Sequence, residues 1–390
     1  MSSFKIPFSG RAHSYTRDEL DTVNEVMQNA NTLTQGTRQL AFQKKFASYL
    51  GVDHAFALNN ATSALELSAQ LCQFNEGDEV IIPAHTYTAS AYRFLKNGAK
   101  IIWADIDLQT RVVSAETIRK CISSKTKAIV VVHLYGYCAD MASIMKLATQ
   151  NNILVIEDVA QAIGTKINGQ MAGTFGDFGV FSFHSHKNIS TLGEGGMLVV
   201  KDDEVAGIVP MLRHHGHCDF NYERKDYWKP AMGNLDFPEL NGEKLWPNNF
   251  CIGEVECALG EKLLERVDQM NKDKRIRAIR FIDELSFFKD LEFHRIDSQR
   301  HNYHLLVGRF MDDKRDKFIK SMANNGVQCV VQYYPLYRYD FYKKVGYGNA
   351  NCPNTDTFFD NMVSFPFQHM MLDETFDLLI KTTKKVLSEI

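Results

Sequence analysis

Short apolar runs recur along the first half of the chain, at 54–58, 79–82, 101–104, 128–133, 153–156, 179–183 and 197–200. Each has the length of a strand. Between several of them the apolar positions fall at helical spacing instead, as at 61–73 and 114–122. Strands alternating with crossover helices predict βαβ units and a mostly parallel sheet. Such a sheet binds ligands beyond the carboxyl ends of its strands.

The rhythm breaks at 218–249, CDFNYERKDYWKPAMGNLDFPELNGEKLWPNN, which is rich in Gly, Pro, Asn and aromatic residues. A loop of that length in a compact protein is usually functional or disordered, and its aromatic content argues against disorder. A long helical pattern follows at 253–286, then strand-like 303–310, a helix at 314–324 and strand-like 327–332. The expectation is an α/β protein with a large domain over 1–252 and a smaller α+β C-terminal domain over 253–390. No internal repeat or low-complexity segment interrupts it.

Composition narrows the function classes. The 390 residues are 45% hydrophobic and 23% charged, an ordinary balance for a globular protein, and the net charge of −3 offers no basic field for nucleic acid. No apolar run approaches the roughly 20 residues of a membrane span. The N-terminal segment lacks a basic stretch followed by an apolar core, so no signal peptide is expected. The eight cysteines are scattered, without a C-x-x-C pair, and read as reduced thiols of a cytoplasmic protein with no metal site.

Four strand ends carry candidate chemistry. In FGVFSFHSHKNISTLGEGG, Lys187 lies four residues past a strand, followed by Gly193, Gly195 and Gly196. A lysine there is a nucleophile if burial removes its proton, and otherwise a solvated charge. In NNILVIEDVAQAIG a strand delivers Asp158 to the ligand crevice, as a partner for a protonated ring nitrogen or as a helix cap. In NNATSALELSAQL, Thr62 and Ser63 open a helix, suited to a phosphate or to ordinary capping. In IIPAHTYTASAYRF, Tyr87 follows a strand, placed to stack on a flat ring or to fill the core.

Each of the four supplies a part that pyridoxal 5'-phosphate (PLP) requires. With EDVAQAIG and FSFHSHKNISTLGEGG as its most specific stretches, the chain resembles the DegT/StrS sugar aminotransferases, a branch of the fold-type I PLP enzymes. The resemblance runs from TQGTRQLAFQKKFASYLG to VSFPFQHMML. It implies that Lys187 carries PLP as a Schiff base, Asp158 pairs with the ring nitrogen and Gln161 contacts the ring hydroxyl. It implies further that Tyr87 covers the ring and that Thr62, Ser63 and Ser182 bind the phosphate. Asn249 matches an asparagine that reaches the phosphate in the neighbouring subunit of a homodimer. The implied reaction takes an amino group from L-glutamate, holds it as pyridoxamine phosphate, and delivers it to a nucleotide-linked keto-sugar. Its products would be amino sugars for a surface polysaccharide, such as lipopolysaccharide, or an antibiotic. The chain departs from the family pattern at Ala61, usually glycine, at Cys251, where an arginine is usual, at His186 beside the lysine, and in a spacing one residue longer than many members between Lys187 and Glu194.

Three other readings compete. A pyridoxamine-phosphate-dependent sugar dehydratase replaces the lysine, typically by histidine, but Ser182 five residues upstream puts Lys187 at that position rather than His186. A PLP enzyme acting on amino acids, such as a cysteine desulfurase, shares a His-Lys pair but fits the downstream GEGG less well. A non-catalytic regulator on the same fold need not keep Lys187, Asp158 and Gln161 together. For the sugar or nucleotide, Tyr222, Arg224, Lys225, Tyr227 and Trp228 are candidates, the alternative being a loop that packs on the second subunit. His184, His186, Arg213, His214, His215 and His217 are further candidates to line the site.

Overall fold

The computed structural model describes residues 4–11, 14–220 and 232–390. Helices α1 (Arg17–Asn29) and α2 (Thr37–Leu50) lead into the sheet region. There β1 (Ala55–Leu58), α3 (Ala61–Leu71), β2 (Glu79–Pro83), α4 (Ala89–Lys96), β3 (Lys100–Ala104), α5 (Ala115–Arg119), β4 (Thr126–Val132), α6 (Met141–Gln150) and β5 (Leu154–Asp158) alternate. A two-residue hairpin, β6 (Lys166–Ile167) and β7 (Gln170–Met171), precedes β8 (Phe178–Ser182), β9 (Gly196–Val200) and α7 (Asp203–Arg213).

Seven strands form one sheet in the order β1-β9-β8-β5-β4-β2-β3. The pairs among β8, β5, β4, β2 and β3 are parallel. Only β9 runs against the others, antiparallel to both β1 and β8. The central strands read as unbroken apolar runs because helices cover both faces, so polar alternation would bury polar groups. All five residues of β8 and of β9 are buried. The helix starts obey capping chemistry: Asn60 Oδ1 accepts from Ser63 N at the head of α3, and Thr16 and Glu19 form a capping box on α1.

The 218–249 segment is not structureless where it is described. Cys218 pairs with Asn234 through β10 (His217–Cys218) and β11 (Asn234–Leu235), and β12 (Glu239–Leu240) folds back on β13 (Glu243–Lys244). Its Asn-Gly pair at 241–242 turns the second hairpin, with both residues at positive φ. Tyr222, Arg224, Lys225, Tyr227 and Trp228 lie outside the described residues.

The helical stretch at 253–286 is two helices, α8 (Glu254–Leu264) and α9 (Val267–Leu285). Arg266 stands at the break, where its guanidinium holds the buried Glu19 of α1 and the Ser14 carbonyl. That contact accompanies a change of partner: α8 packs on α1 and α2, while the later turns of α9 enter a second core. The second core gathers Ala278, Phe281, Ile282 and Leu285 around the antiparallel sheet β14 (Leu291–Phe293), β15 (Leu306–Phe310) and β16 (Met362–Phe365). Helices α10 (Arg315–Asn324) and α13 (Asp373–Glu389) cover that sheet, with α11 (Asp340–Lys344) and α12 (Pro353–Asn361) between them in the chain. The strand-like 327–332 makes only isolated bridges, Val327 with Ile6 and Val330 with Ser364. No helix among the described residues is long and apolar enough to cross a membrane.

Candidate active site

A cavity of about 600 Å³ opens at the carboxyl ends of the parallel strands, where such sheets place ligands. Thr62, Tyr87, Asp158, Gln161, Ser182 and Lys187 all line it. These residues arrive from four strand ends, because β1, β2, β5 and β8 all point the same way.

The first wall is built on backbone. Leu58 of β1 and Ser182 of β8 both face Gly196, the first residue of β9. A Cβ on Gly196 would stand 2.6 Å from the Ala61 nitrogen, so only glycine lets the head of α3 settle against the sheet. A helix leaves its first N–H groups without intrahelical partners. Here Ser63 N is taken by Asn60 Oδ1 at 2.8 Å and Ala64 N by the Asn60 carbonyl at 3.3 Å. Ala61 and Thr62 line the cavity at the positive end of α3, beside Ser182. Ser63 is not among the lining residues; its hydroxyl donates into the Asn59 and Asn60 side chains.

Lys187 sits on a turn that closes on itself. Lys187 N donates to the His184 carbonyl, Ser185 N to that of Gly193, and Phe183 N to that of Gly195. The enclosing protein holds the Lys187 amine down to about 8 from its ordinary 10.5, against the opposing pull of Asp158. Asp158 is buried, and its two oxygens accept from Ser90 Oγ at 2.7 Å and Ala160 N at 3.0 Å. A carboxylate has about four acceptor positions, so it retains capacity toward the cavity. Gln161 is fixed in one orientation: its Oε1 accepts from Tyr135 N at 2.7 Å and its Nε2 donates to the Tyr333 hydroxyl at 3.0 Å. Tyr87 is 57% exposed and meets Tyr333 edge-on, so it is not a core residue.

Four contributors escape a reading of the sequence: Ser90, Tyr333, His304 and Lys274. Ser90 was within reach, three residues beyond Tyr87 in the first turn of α4. The others come from the C-terminal half, where no motif marks them. Asn271 Nδ2 donates to the Ile163 carbonyl, which makes Asn271 Oδ1 an acceptor. Asn188 Nδ2 donates to that oxygen at 2.7 Å, so Asn188 Oδ1 accepts from His304 Nδ1 at 3.0 Å. His304 therefore carries its proton on Nδ1, and burial together with Lys187 and Lys274 holds it well below 6.5, neutral. Lys274, one helical turn after Asn271, donates from Nζ to the His304 carbonyl at 3.1 Å.

The histidine-rich candidates divide. His184 and His186 line the cavity, with His184 Nε2 3.8 Å from Glu194. Arg213, His214, His215 and His217 do not: Arg213 is buried on Gln43 and the Ala57 carbonyl, and His214 meets Gln35. Asn249 is exposed, bridged to His214 and outside the cavity.

Comparison with known proteins adds to this geometry. The model of the DegT/DnrJ/EryC1/StrS aminotransferase family matches residues 13–384. GDP-perosamine synthase of Caulobacter vibrioides is 34% identical over 326 residues, 82% of each chain. The aminotransferase from Psychrobacter cryohalolentis superposes with a TM-score of 0.88 at 27% identity, over 98% of this chain and all of that one. The PLP form of a protein described as a sugar aminotransferase, from Streptococcus pneumoniae, superposes with a TM-score of 0.85 at 25% identity, over 98% of this chain and 99% of that one.

Proposed function

Since the chain belongs to the DegT/DnrJ/EryC1/StrS aminotransferase family and is a PLP-dependent aminotransferase, we propose that it moves the amino group of L-glutamate to a nucleotide-linked keto-sugar. The observation that carries this reading is one cavity wall holding a buried amine drawn down to about 8, a carboxylate with acceptor capacity to spare, and an anion cradle under Gly196.

These residues suit the cofactor. The Ala61 and Thr62 amides with the Thr62 and Ser182 hydroxyls would hold its phosphate, the fit depending on the absent Gly196 side chain, while Ser63, turned into Asn59 and Asn60, would brace the helix head instead. Asp158 would keep the ring nitrogen protonated, the Gln161 amide would meet the ring hydroxyl, and Tyr87 would cover the ring. When bound, PLP supplies an aldehyde for the donor's amine and a ring that withdraws electrons from the bonds at its α-carbon. Lys187 anchors the cofactor and afterwards, as the free amine, holds and moves the proton at that α-carbon. An amine of pKa about 8 both accepts and returns a proton near neutral pH. Asn249, exposed and not lining its own cavity, would serve the phosphate of a second subunit in a homodimer. Cytoplasmic synthesis of amino sugars for surface polysaccharide or antibiotic is the setting this reading implies.

The test is incubation of PLP-loaded protein with L-glutamate and a panel of GDP-, UDP- and TDP-linked keto-sugars. The expected products are 2-oxoglutarate and an amino-sugar nucleotide in equal amounts. A deoxygenated sugar without a new amine would instead identify a dehydratase, and sulfide from cysteine a desulfurase.

A further inference from the structure

Lys187 and Lys274 are the only lysine or arginine residues among the described residues that line the cavity. Lys187 is occupied with the cofactor and the proton, so Lys274 is the one other lysine or arginine among the described residues that can meet an anion in the cavity. It is 4% exposed, and one of its three N–H groups is spent on the His304 carbonyl. Its ammonium lies 5.6 Å over the Phe367 ring, and among the described residues no carboxylate opposes the effect of burial on it. Keeping a cation dry and unpaired costs stability. A protein that bears this cost beside its reacting amine has a use for the charge.

We infer that Lys274 binds the carboxylate of the amino donor while Lys187 works on its α-carbon. The inference rests on the amino-donor half of the proposed function and not on the sugar. Three observations select a carboxylate. The cofactor's phosphate has its own cradle at the head of α3, on the sheet side of the cavity. Asp158 and Glu194 are the acidic groups lining the cavity among the described residues, which leaves Lys274 as the place where a second anion meets an opposite charge. Lys274 Nζ sits on the His304 carbonyl, and the His304 ring sits on Asn188, the residue after Lys187, so Lys274 stands close to the reacting end of the cavity. A donor held at its carboxylate by one lysine presents its α-carbon to the other, and such two-point positioning is what speeds a bound reaction. Asn188 follows Lys187 directly, and Asn271 and His304 tie it to the element that carries Lys274, so the two lysines share one frame.

The experiment uses full-length PLP-loaded protein and glutarate, a dicarboxylate without an amine to react. Calorimetry should show glutarate binding weakened by about 10- to 100-fold in Lys274→Gln, the loss expected for one charged hydrogen bond. Lys274→Arg, which keeps the cation, should recover most of it. UDP and GDP should bind both variants as they bind the parent, and the cofactor absorbance band should be unchanged. If Lys274→Gln does not fold, Lys274→Met carries the same comparison. Glutarate binding that is absent from the parent or indifferent to Lys274→Gln would overturn the inference. So would loss of UDP or GDP affinity in its place, which would give the lysine to the nucleotide phosphates. No sugar enters the experiment, so failure to aminate any sugar would sink the acceptor reading and leave this result standing.

Discussion

Two walls line the cavity, and each carries a lysine whose amine is buried. The sheet wall comes from strand ends that are local in sequence, and its Lys187 has Asp158 to steady its charge. The second wall comes from α9 and residue 304, far along the chain, and among the described residues no carboxylate acts on the charge of its Lys274. Burial alone takes Lys274 to about 7, whereas burial opposed by a carboxylate leaves Lys187 at about 8. The contrast lies in the partner: both amines are drawn down by burial, and Asp158 pulls back at Lys187 alone.

Lys187→Ala breaks the comparison most completely. Amino transfer should fall by about 10³-fold or more, at the upper end of what a positioned acid-base group contributes. The absorbance band of the lysine-bound cofactor should vanish while far-UV circular dichroism is kept. Asp158→Asn should make the two walls alike. Without the carboxylate the Lys187 amine should titrate below 8, toward the value at Lys274, read in the cofactor-free protein from the pH dependence of its acylation. Turnover should drop by about 10²-fold, the scale of losing one preorganised electrostatic partner.

The smallest effect concerns stability. The folded protein releases the Lys274 proton near pH 7, whereas the unfolded chain keeps it to about 10.5. The unfolded state therefore binds more protons across that window, and stability climbs with pH there. The contribution is unfavourable in full below pH 7 and relieved progressively above it. In urea titrations at pH 7 and pH 9, Lys274→Gln should show a shallower rise than the parent; an equal rise would mean that Lys274 stays charged throughout.

The contrast between walls also accounts for what the sequence made legible. Each sheet-wall residue sits just past an apolar run that could only be a strand, so its place at the cavity followed from topology. Asp158 and Ser182 are the last residues of their strands, and Thr62 lies in the first turn of the helix after β1. Lys274 lies in NKDKRIRAIR, which reads as the polar face of a helix. What buries it is the packing of α9 against residue 304 and Phe367, and no local pattern encodes contacts between segments so far apart. The helix break at Arg266 was hidden likewise, since neither glycine nor proline marks it and its partner Glu19 is in α1. Tyr87 was ambiguous between core and ligand because an aromatic after a strand serves both, and only its exposure decides.

The reversed strand β9 has a consequence for how the protein is made. Leu58 can line up with Ser182 only through Gly196, which lies between them in the sheet. A nascent chain that has emerged as far as β8 already holds Thr62, Asp158 and Ser182, yet β1 still lacks the strand that pairs it into the sheet. The cofactor pocket thus acquires its floor only after Val200 has left the ribosome. Synthesis itself sets the earliest moment at which this protein can capture its vitamin.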